Sequence, residues 1–392
     1  MNGVKYLLGN EDLNPAPLPV YSDEALDYLA ALSAELLKTP GVRAYPDVVS
    51  VAFWCRRANL QKLKEQYRGD SHRLGRGLAF HITPGNIPVN FAFSFFFSLL
   101  AGNANLVRIP SKPYPQVSVI LETMRSVMRE CPEISARAAF VTYPADATAT
   151  ADFCALADAR IIWGGDRTVA EIRRFPTKPR CVDVVFPDRY SICILDGDAV
   201  LDAEENALTR LAESFYNDTY LMDQNACSSP QLILWKNGSA TARERFWDAV
   251  SDLAMRRYRL QDMTAVDKYV QLCGDAIECP EAFGAVHQEG NLLYRVQLSA
   301  LPKSNADKLR GQGGYFYEYN LSSIDEIGDI VNEKFQTVSY FGIDPEEVRN
   351  FVMERRLTGI DRIVPVGRAM DIGVVWDGYD LITMLSRVID VR

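Results

Sequence analysis

The chain predicts an α/β protein of two lobes, each built on a mainly parallel sheet with helices on its faces. Three observations lead there. Short apolar runs of strand length alternate with longer stretches whose apolar residues recur at helical spacing, the order that wraps a parallel sheet in crossover helices. The runs are apolar at nearly every position, as strands covered on both faces must be. At 392 residues the chain is too long for one simple core and suits two lobes.

Two helices are expected first, over residues 23–37 and 45–67. Strand 78–82, helix 88–101, strand 105–109, helix 114–129 and strand 138–143 follow, then helix 148–157, strand 160–163 and helix 168–175. Two further strands, 183–186 and 191–195, complete the first lobe. Asp196-Gly197-Asp198 then reads as a hinge. The lobes are therefore expected at 1–197 (N-terminal helices and cofactor lobe) and 198–365 (catalytic lobe, with strands over 315–319, 338–343 and 362–366). A C-terminal return segment over 366–392 carries a strand suited to oligomerisation. The aromatic run over 91–97 reads as core rather than as an acyl tunnel.

Composition narrows the function classes. A net charge of −9 argues against nucleic acid as the main partner, because binding phosphates needs a basic face. The most apolar run, residues 87–101, is shorter than the roughly 20 residues of a membrane span and contains Asn90. No leader opens the chain, and eight scattered cysteines without a two-residue gap fit a cytoplasmic protein better than a disulfide scaffold. Three separated histidines form no short-range cluster, so no metal site is expected.

Several turns carry chemistry. Asp223-Gln224-Asn225-Ala226-Cys227-Ser228-Ser229-Pro230 presents one thiol among small and amide side chains, after a helical stretch and before the apolar run that Pro230 opens. A cysteine placed so is a candidate nucleophile for acyl chemistry; the commoner use is a small buried thiol. In His81-Ile82-Thr83-Pro84-Gly85-Asn86-Ile87-Pro88 a strand ends, the chain turns, and Pro88 stands at the expected start of a helix. There Gly85 admits close backbone approach, and Asn86 either donates its amide to an anionic oxygen or caps the helix. Trp163-Gly164-Gly165-Asp166 joins a strand to a helix start whose N–H groups suit an anion, with Asp166 as an alternative cap. Arg108-Ile109-Pro110-Ser111-Lys112 ends a strand with two cations and a hydroxyl, suited to a ribose or its phosphate or to a solvated loop.

In this order the segments resemble the aldehyde dehydrogenase superfamily, and within it the acyl-CoA reductases typified by the fatty acid reductase of bacterial luminescence. The resemblance runs from Phe53 to the C-terminus. It rests on residues 81–88, Leu99-Leu100-Ala101-Gly102-Asn103, Trp163-Gly164-Gly165-Asp166, Asn225-Ala226-Cys227-Ser228-Ser229-Pro230 and Trp376-Asp377-Gly378-Tyr379-Asp380. It implies an aldehyde dehydrogenase-like fold with a Rossmann-like cofactor lobe. Cys227 would be the nucleophile, and Asn86 with the Cys227 N–H would form the oxyanion hole. Thr83, Pro84, Gly85, Arg108, Ser111, Lys112, Gly164 and Gly165 would line the cofactor site. Arg108 falls where the superfamily places a lysine on the adenosine ribose.

Three departures refine the expectation. Aldehyde dehydrogenases carry a hydrolytic glutamate where this chain reads Val184-Val185-Phe186-Pro187-Asp188, so an acyl-enzyme would survive for hydride rather than water. The superfamily's glutamate on the nicotinamide ribose is missing from Leu309-Arg310-Gly311-Gln312-Gly313-Gly314. Ser111 replaces the acidic residue of NAD-selective members, which favours NADPH, with NAD as the alternative. The expected activity is reduction of an acyl-CoA, or of an acyl group handed over by an acyl-protein synthetase, to an aldehyde. The alternatives are a hydrolytic aldehyde dehydrogenase and a non-catalytic acyl-binding subunit. What deprotonates Cys227 stays open, with His81 as one candidate. Residues 68–73 are too few for the superfamily's pairing hairpin, so a monomer, or a homodimer held by helix packing, is expected.

Overall fold

Apolar alternation resolves into two α/β units in a computed structural model that describes residues 3–67, 72–144 and 148–392. The first unit comprises Met1–Pro187 and Ile372–Arg392; the second is Asp188–Asp371.

The first unit opens with β1 (Lys5–Leu8), α1 (Asp23–Lys38), α2 (Pro46–Trp54), α3 (Arg57–Gln66), β2 (Arg73–Gly75) and β3 (Leu78–Ile82). It continues through α4 (Asn90–Leu100), β4 (Ala104–Arg108), α5 (Pro115–Met128), the short α6 (Pro132–Ser135), β5 (Ala138–Thr142), α7 (Ala149–Leu156), β6 (Ala159–Trp163), α8 (Asp166–Arg173) and β7 (Val182–Phe186). Its sheet has the order β1-β5-β4-β3-β6-β7, parallel except for β1 at the edge. The single helix expected over 45–67 is broken, because Arg56 is extended; Asn59 Nδ2 caps the break on the Trp54 carbonyl at 2.7 Å. Helix α4 is buried along its whole length. Its aromatic run is core: Phe96 stacks on Trp54, and Phe95 lies 5.1 Å from the Phe140 ring.

The second unit runs through β8 (Tyr190–Asp196), α9 (Gly197–Asp202), α10 (Glu205–Asp218), β9 (Pro230–Lys236), α11 (Ala240–Arg257), α12 (Asp262–Glu278), β10 (Phe283–Glu289), β11 (Leu293–Leu298), β12 (Tyr315–Leu321), α13 (Asp325–Gly328), β13 (Phe335–Phe341), α14 (Pro345–Arg355) and β14 (Arg362–Pro365). Its sheet order is β10-β11-β12-β9-β8-β13-β14, with β10 the antiparallel edge. The tail then returns to the first unit as β15 (Val375–Trp376), β16 (Tyr379–Asp380), α15 (Leu381–Met384) and β17 (Ser386–Val388).

Both unit boundaries differ from the expected ones. Strand β8 sits between β9 and β13, so it belongs to the second sheet and not to the first lobe. Asp196-Gly197-Asp198 is no hinge: the Asp196 carboxylate accepts from the N–H groups of Asp198 and Ala199 and caps α9. At the other end, residues 366–371 stay with the second unit. Asp218 accepts from the N–H groups of Gly367 and Ala369, and the Arg362 guanidinium donates to the carbonyls of Arg368, Ala369 and Asp371. The C-terminal strand, expected as a free edge for a neighbour, pairs in its own chain through Ser386↔Gly75, Arg387↔Leu74 and Val388↔Arg73. Residues 68–71 of the segment judged too short for a hairpin lie outside the described residues. Among the described residues no helix is long and apolar enough to cross a membrane.

Candidate active site

The sheet order of the first unit creates a site that local sequence does not reveal. From β3 the chain proceeds outward through β4 and β5, then crosses back to add β6 and β7 on the other side of β3. The direction of winding reverses between β3 and β6. At such a switch point the loops leaving adjacent carboxyl ends part and open a crevice. Ile82 pairs with Arg108 on one side and Ile162 on the other, so the segments beginning at Thr83, Ile109 and Gly164 leave one edge side by side. Every expected cofactor residue lies on these segments or, as Arg108, at the end of β4.

The turn after β3 is braced from the neighbouring loop. Thr83 Oγ1 donates to the Arg108 carbonyl at 2.7 Å, and Tyr114 Oη donates to the Gly85 carbonyl at 2.8 Å. Helix α4 begins at Asn90, later than expected, so Pro88 precedes it and Val89 is the cap residue. Asn86 therefore does not cap the helix; its exposed amide bonds to no described residue. A Cβ on Gly85 would meet only Pro110, at 3.6 Å, so packing within the chain does not demand glycine there. Pro84, Ile87, Phe91, Ile109 and Lys112 line a shallow recess beside this turn.

Arg108 is held by an aromatic partner that the sequence did not single out. Its guanidinium carbon lies 4.8 Å from the centre of the Tyr143 ring, while its buried Nε has no hydrogen-bond partner among the described residues. Ser111 and Lys112 are exposed, with Lys112 Nζ 4.9 Å from the Tyr114 ring. Gly165, rather than Asp166, is the cap residue of α8, and a Cβ there would meet nothing within 4 Å. The first N–H groups of that helix have no partner within it.

His81 is not placed for proton transfer. It is fully buried in β3, with Nε2 3.0 Å from Asn105 Oδ1 and Nδ1 2.8 Å from Ser94 Oγ. An amide oxygen only accepts, so Nε2 carries the proton and Nδ1 accepts from Ser94. Ser94 in turn accepts from Trp163 Nε1 at 3.0 Å. Burial pushes the imidazole pKa down to about 4. It is a neutral core residue that ties three strands and α4 together.

Cys227 belongs to the second unit, on a loop at the amino end of β9. Asp223 and Gln224 take positive φ values of 50° and 62°, turning the chain sharply out of the 3-10 turn that follows α10. Gln224 is buried, and its amide clamps the loop to β12. Oε1 accepts from the N–H groups of Gly314 and Tyr315, while Nε2 donates to the Tyr315 carbonyl at 2.9 Å. Ser191 Oγ donates to the Cys227 carbonyl at 2.7 Å, and Ser229 Oγ donates to the Asp218 carbonyl at 2.7 Å. The Cys227 side is half-buried and Asn225 is exposed, so a rigid frame carries a reachable thiol.

Two expected departures have physical counterparts. The segment lacking a glutamate passes directly beneath this loop: a Cβ on Gly311 would lie 2.0 Å from the Tyr315 carbonyl oxygen, and one on Gly314 2.2 Å from that of Leu292. Backbone approach that close leaves no room for a side chain. Val185, where the hydrolytic base is missing, is buried in β7; the following carboxylate, Asp188, is paired with Arg310 at 3.0 Å.

Comparison with known proteins agrees with this architecture. The family model described as acyl-CoA reductase (LuxC) matches residues 16–264. No curated protein matches the chain. Among similar solved structures is aldehyde dehydrogenase 21 from Physcomitrella patens in complex with the reaction product succinate, with TM-score 0.62, 12% identity and coverage of 93% of this chain and 84% of that one. A 1-pyrroline-5-carboxylate dehydrogenase from Thermus with bound NAD gives 0.61, 12%, 94% and 81%. An NADP-dependent glyceraldehyde-3-phosphate dehydrogenase from Bacillus halodurans complexed with NADP gives 0.59, 16%, 93% and 85%. At these identities the likeness establishes the fold.

Proposed function

Because the chain belongs to the acyl-CoA reductase (LuxC) family, we propose that it is a cytoplasmic enzyme that reduces an acyl thioester to an aldehyde with NADPH, through an acyl group carried on Cys227. The observation that carries this reading is the clamped loop around Cys227, which fixes a half-buried thiol in a frame of buried amides and hydroxyls. The Cys227 thiolate attacks the acyl carbonyl, the oxyanion accepts from the Asn86 amide and the Cys227 N–H, and the donor thiol leaves. The carboxylates bonded into the loop's frame are occupied. Asp218 accepts from two backbone N–H groups, and Asp223 accepts from Tyr258 Oη at 2.6 Å. Neither is poised to activate water, which supports a long-lived acyl-enzyme.

The first unit fits a dinucleotide. Its switch point, the unpartnered Arg108 Nε and the open space over Gly165 suit a phosphorylated ligand. The solved relatives named above hold NAD in one case and NADP in another, so the fold accepts both. Arg108 and Lys112, without a carboxylate at Ser111, favour the 2′-phosphate of NADPH. Held by these residues, such a cofactor would supply the hydride that reduces the acyl group on Cys227 to the aldehyde, leaving the Cys227 thiolate.

Intact-mass analysis with acyl-CoA and no cofactor tests the reading. The wild type is expected to gain one acyl group on Cys227 and keep it, while Cys227→Ser gains none and forms no aldehyde, yet still binds NADPH. Acylation of another cysteine, or prompt release of free acid, overturns it.

A further inference from the structure

Helix α12 is built with its apolar side facing outward. Only Lys268 and Leu272 of its 17 residues are buried. Its attachment to the second unit is largely polar: Lys268 Nζ donates to the carbonyls of Asn291 and Gly313 at 2.9 and 2.8 Å, and Asp275 accepts from the hydroxyls of Tyr315 and Tyr317. On the solvent side Met263, Val266, Val270, Cys273 and Ile277 succeed one another at gaps of three, four, three and four residues, all exposed, with Ile277 at 78% and Met263 at 67%. Tyr269 flanks them at 58% exposure, and Met255 at the end of α11 adds 55%. A surface helix normally turns such a stripe to the core, and a heptad stripe in water marks a contact with another helix.

We propose that this stripe is the dimer interface of the protein, with α12 packing antiparallel against α12 of a second copy across a two-fold axis. Two features select a second copy. First, a heptad stripe read backwards is still a heptad stripe, so the same patch serves both partners of an isologous contact. Second, the two ends of the helix differ in charge. Exposed Arg256 and Arg259 stand before its first residue and outnumber the exposed Asp262 there, whereas exposed Glu278 is its last residue and exposed Glu281 follows. An antiparallel pairing sets the basic end of one copy against the acidic end of the other, twice over. The size is sufficient: seven exposed side chains at on the order of 100 Å² each give roughly 700 Å² per copy, close to the about 800 Å² of a standard interface. The neighbouring edge strand β10 carries a register shift between Phe283 and Val286, a device that discourages sheet-to-sheet pairing, so helix packing carries the contact.

Sedimentation velocity on the full chain decides the matter. The wild type is expected to be dimeric at ~10 μM, and Val266→Glu/Val270→Glu monomeric at ~100 μM with unchanged melting temperature, since neither side chain supports the fold. Arg259→Glu and Glu278→Arg should each weaken the dimer about tenfold, because symmetry breaks two pairs at once, and the combined variant should restore it. A wild type that stays monomeric at ~100 μM, a dimer that survives the double glutamate variant, or a charge reversal that fails to restore it overturns the proposal.

Discussion

Asn86 stands on a turn whose own backbone has no use for its amide, since bracing comes from Thr83 and Tyr114 instead. Asn86→Ala is therefore expected to leave the melting temperature unchanged while single-turnover acylation of Cys227 falls by about 10²–10³. A loss of stability that accounts for the lost rate would remove Asn86 from the oxyanion hole. Arg108 tests the cofactor. Its guanidinium rests on Tyr143, so Arg108→Ala should weaken NADPH by about tenfold or more and NADH little, because only NADPH offers a 2′-phosphate. Fluorescence titration of both cofactors reads the difference, and equal losses would assign Arg108 to the shared part of the ligand. The value of Tyr143 lay outside the reach of sequence: it directly follows β5, two strands away from β3, and meets Arg108 only because β4 and β5 pair.

At the scale of elements, Asp218 joins the end of α10 to residues 366–371, and it does so from a buried position. Burial raises its pKa to about 7, against the lowering effect of the N–H groups of Gly367 and Ala369 and of the Arg362 charge; Asp371 raises it further. Between about pH 4, the ordinary carboxylate value, and about 7 the folded chain keeps a proton that the unfolded chain has released. Stability from the neutral form is thus complete below that window and drains as pH rises through it. Asp218→Asn loses one acceptor and should melt a few degrees lower at pH 5, with the gap to wild type narrowing by pH 8. A gap that does not change with pH would show Asp218 ionised throughout. His81 works in the opposite sense: its depressed pKa costs stability as pH falls from about 6.5 toward about 4, so the two groups partly offset each other in wild-type melting curves.

Across the whole molecule the chain leaves the first unit once and returns once. The returning tail closes β17 on β2, with the Ile389 N–H donating to the His72 carbonyl at 2.8 Å and Arg76 Nε donating to the Met384 carbonyl at 2.7 Å. Deletion of residues 386–392 removes the partner of Arg73, Leu74 and Gly75. It should lower the calorimetric transition by a few degrees without abolishing dimerisation, because the proposed interface lies in the other unit. An unchanged transition would mean that the tail strand is not part of the folded unit.

The sequence by itself determined the class of the fold, because strand and helix periodicities are local and the runs over 78–82, 160–163 and 191–195 can be little else. It also framed the thiol loop, since Pro230 and the small residues around Cys227 act within a few positions of one another. Only the tertiary structure decided what depends on partners far along the chain. Sheet order placed the reversal of winding between β3 and β6 and moved β8 into the second sheet. It neutralised His81 against Asn105 and Ser94, and it turned the apolar side of α12 to solvent. A periodicity states that a face is apolar; which face of which neighbour covers it is settled by pairings between distant residues, and no local pattern encodes those.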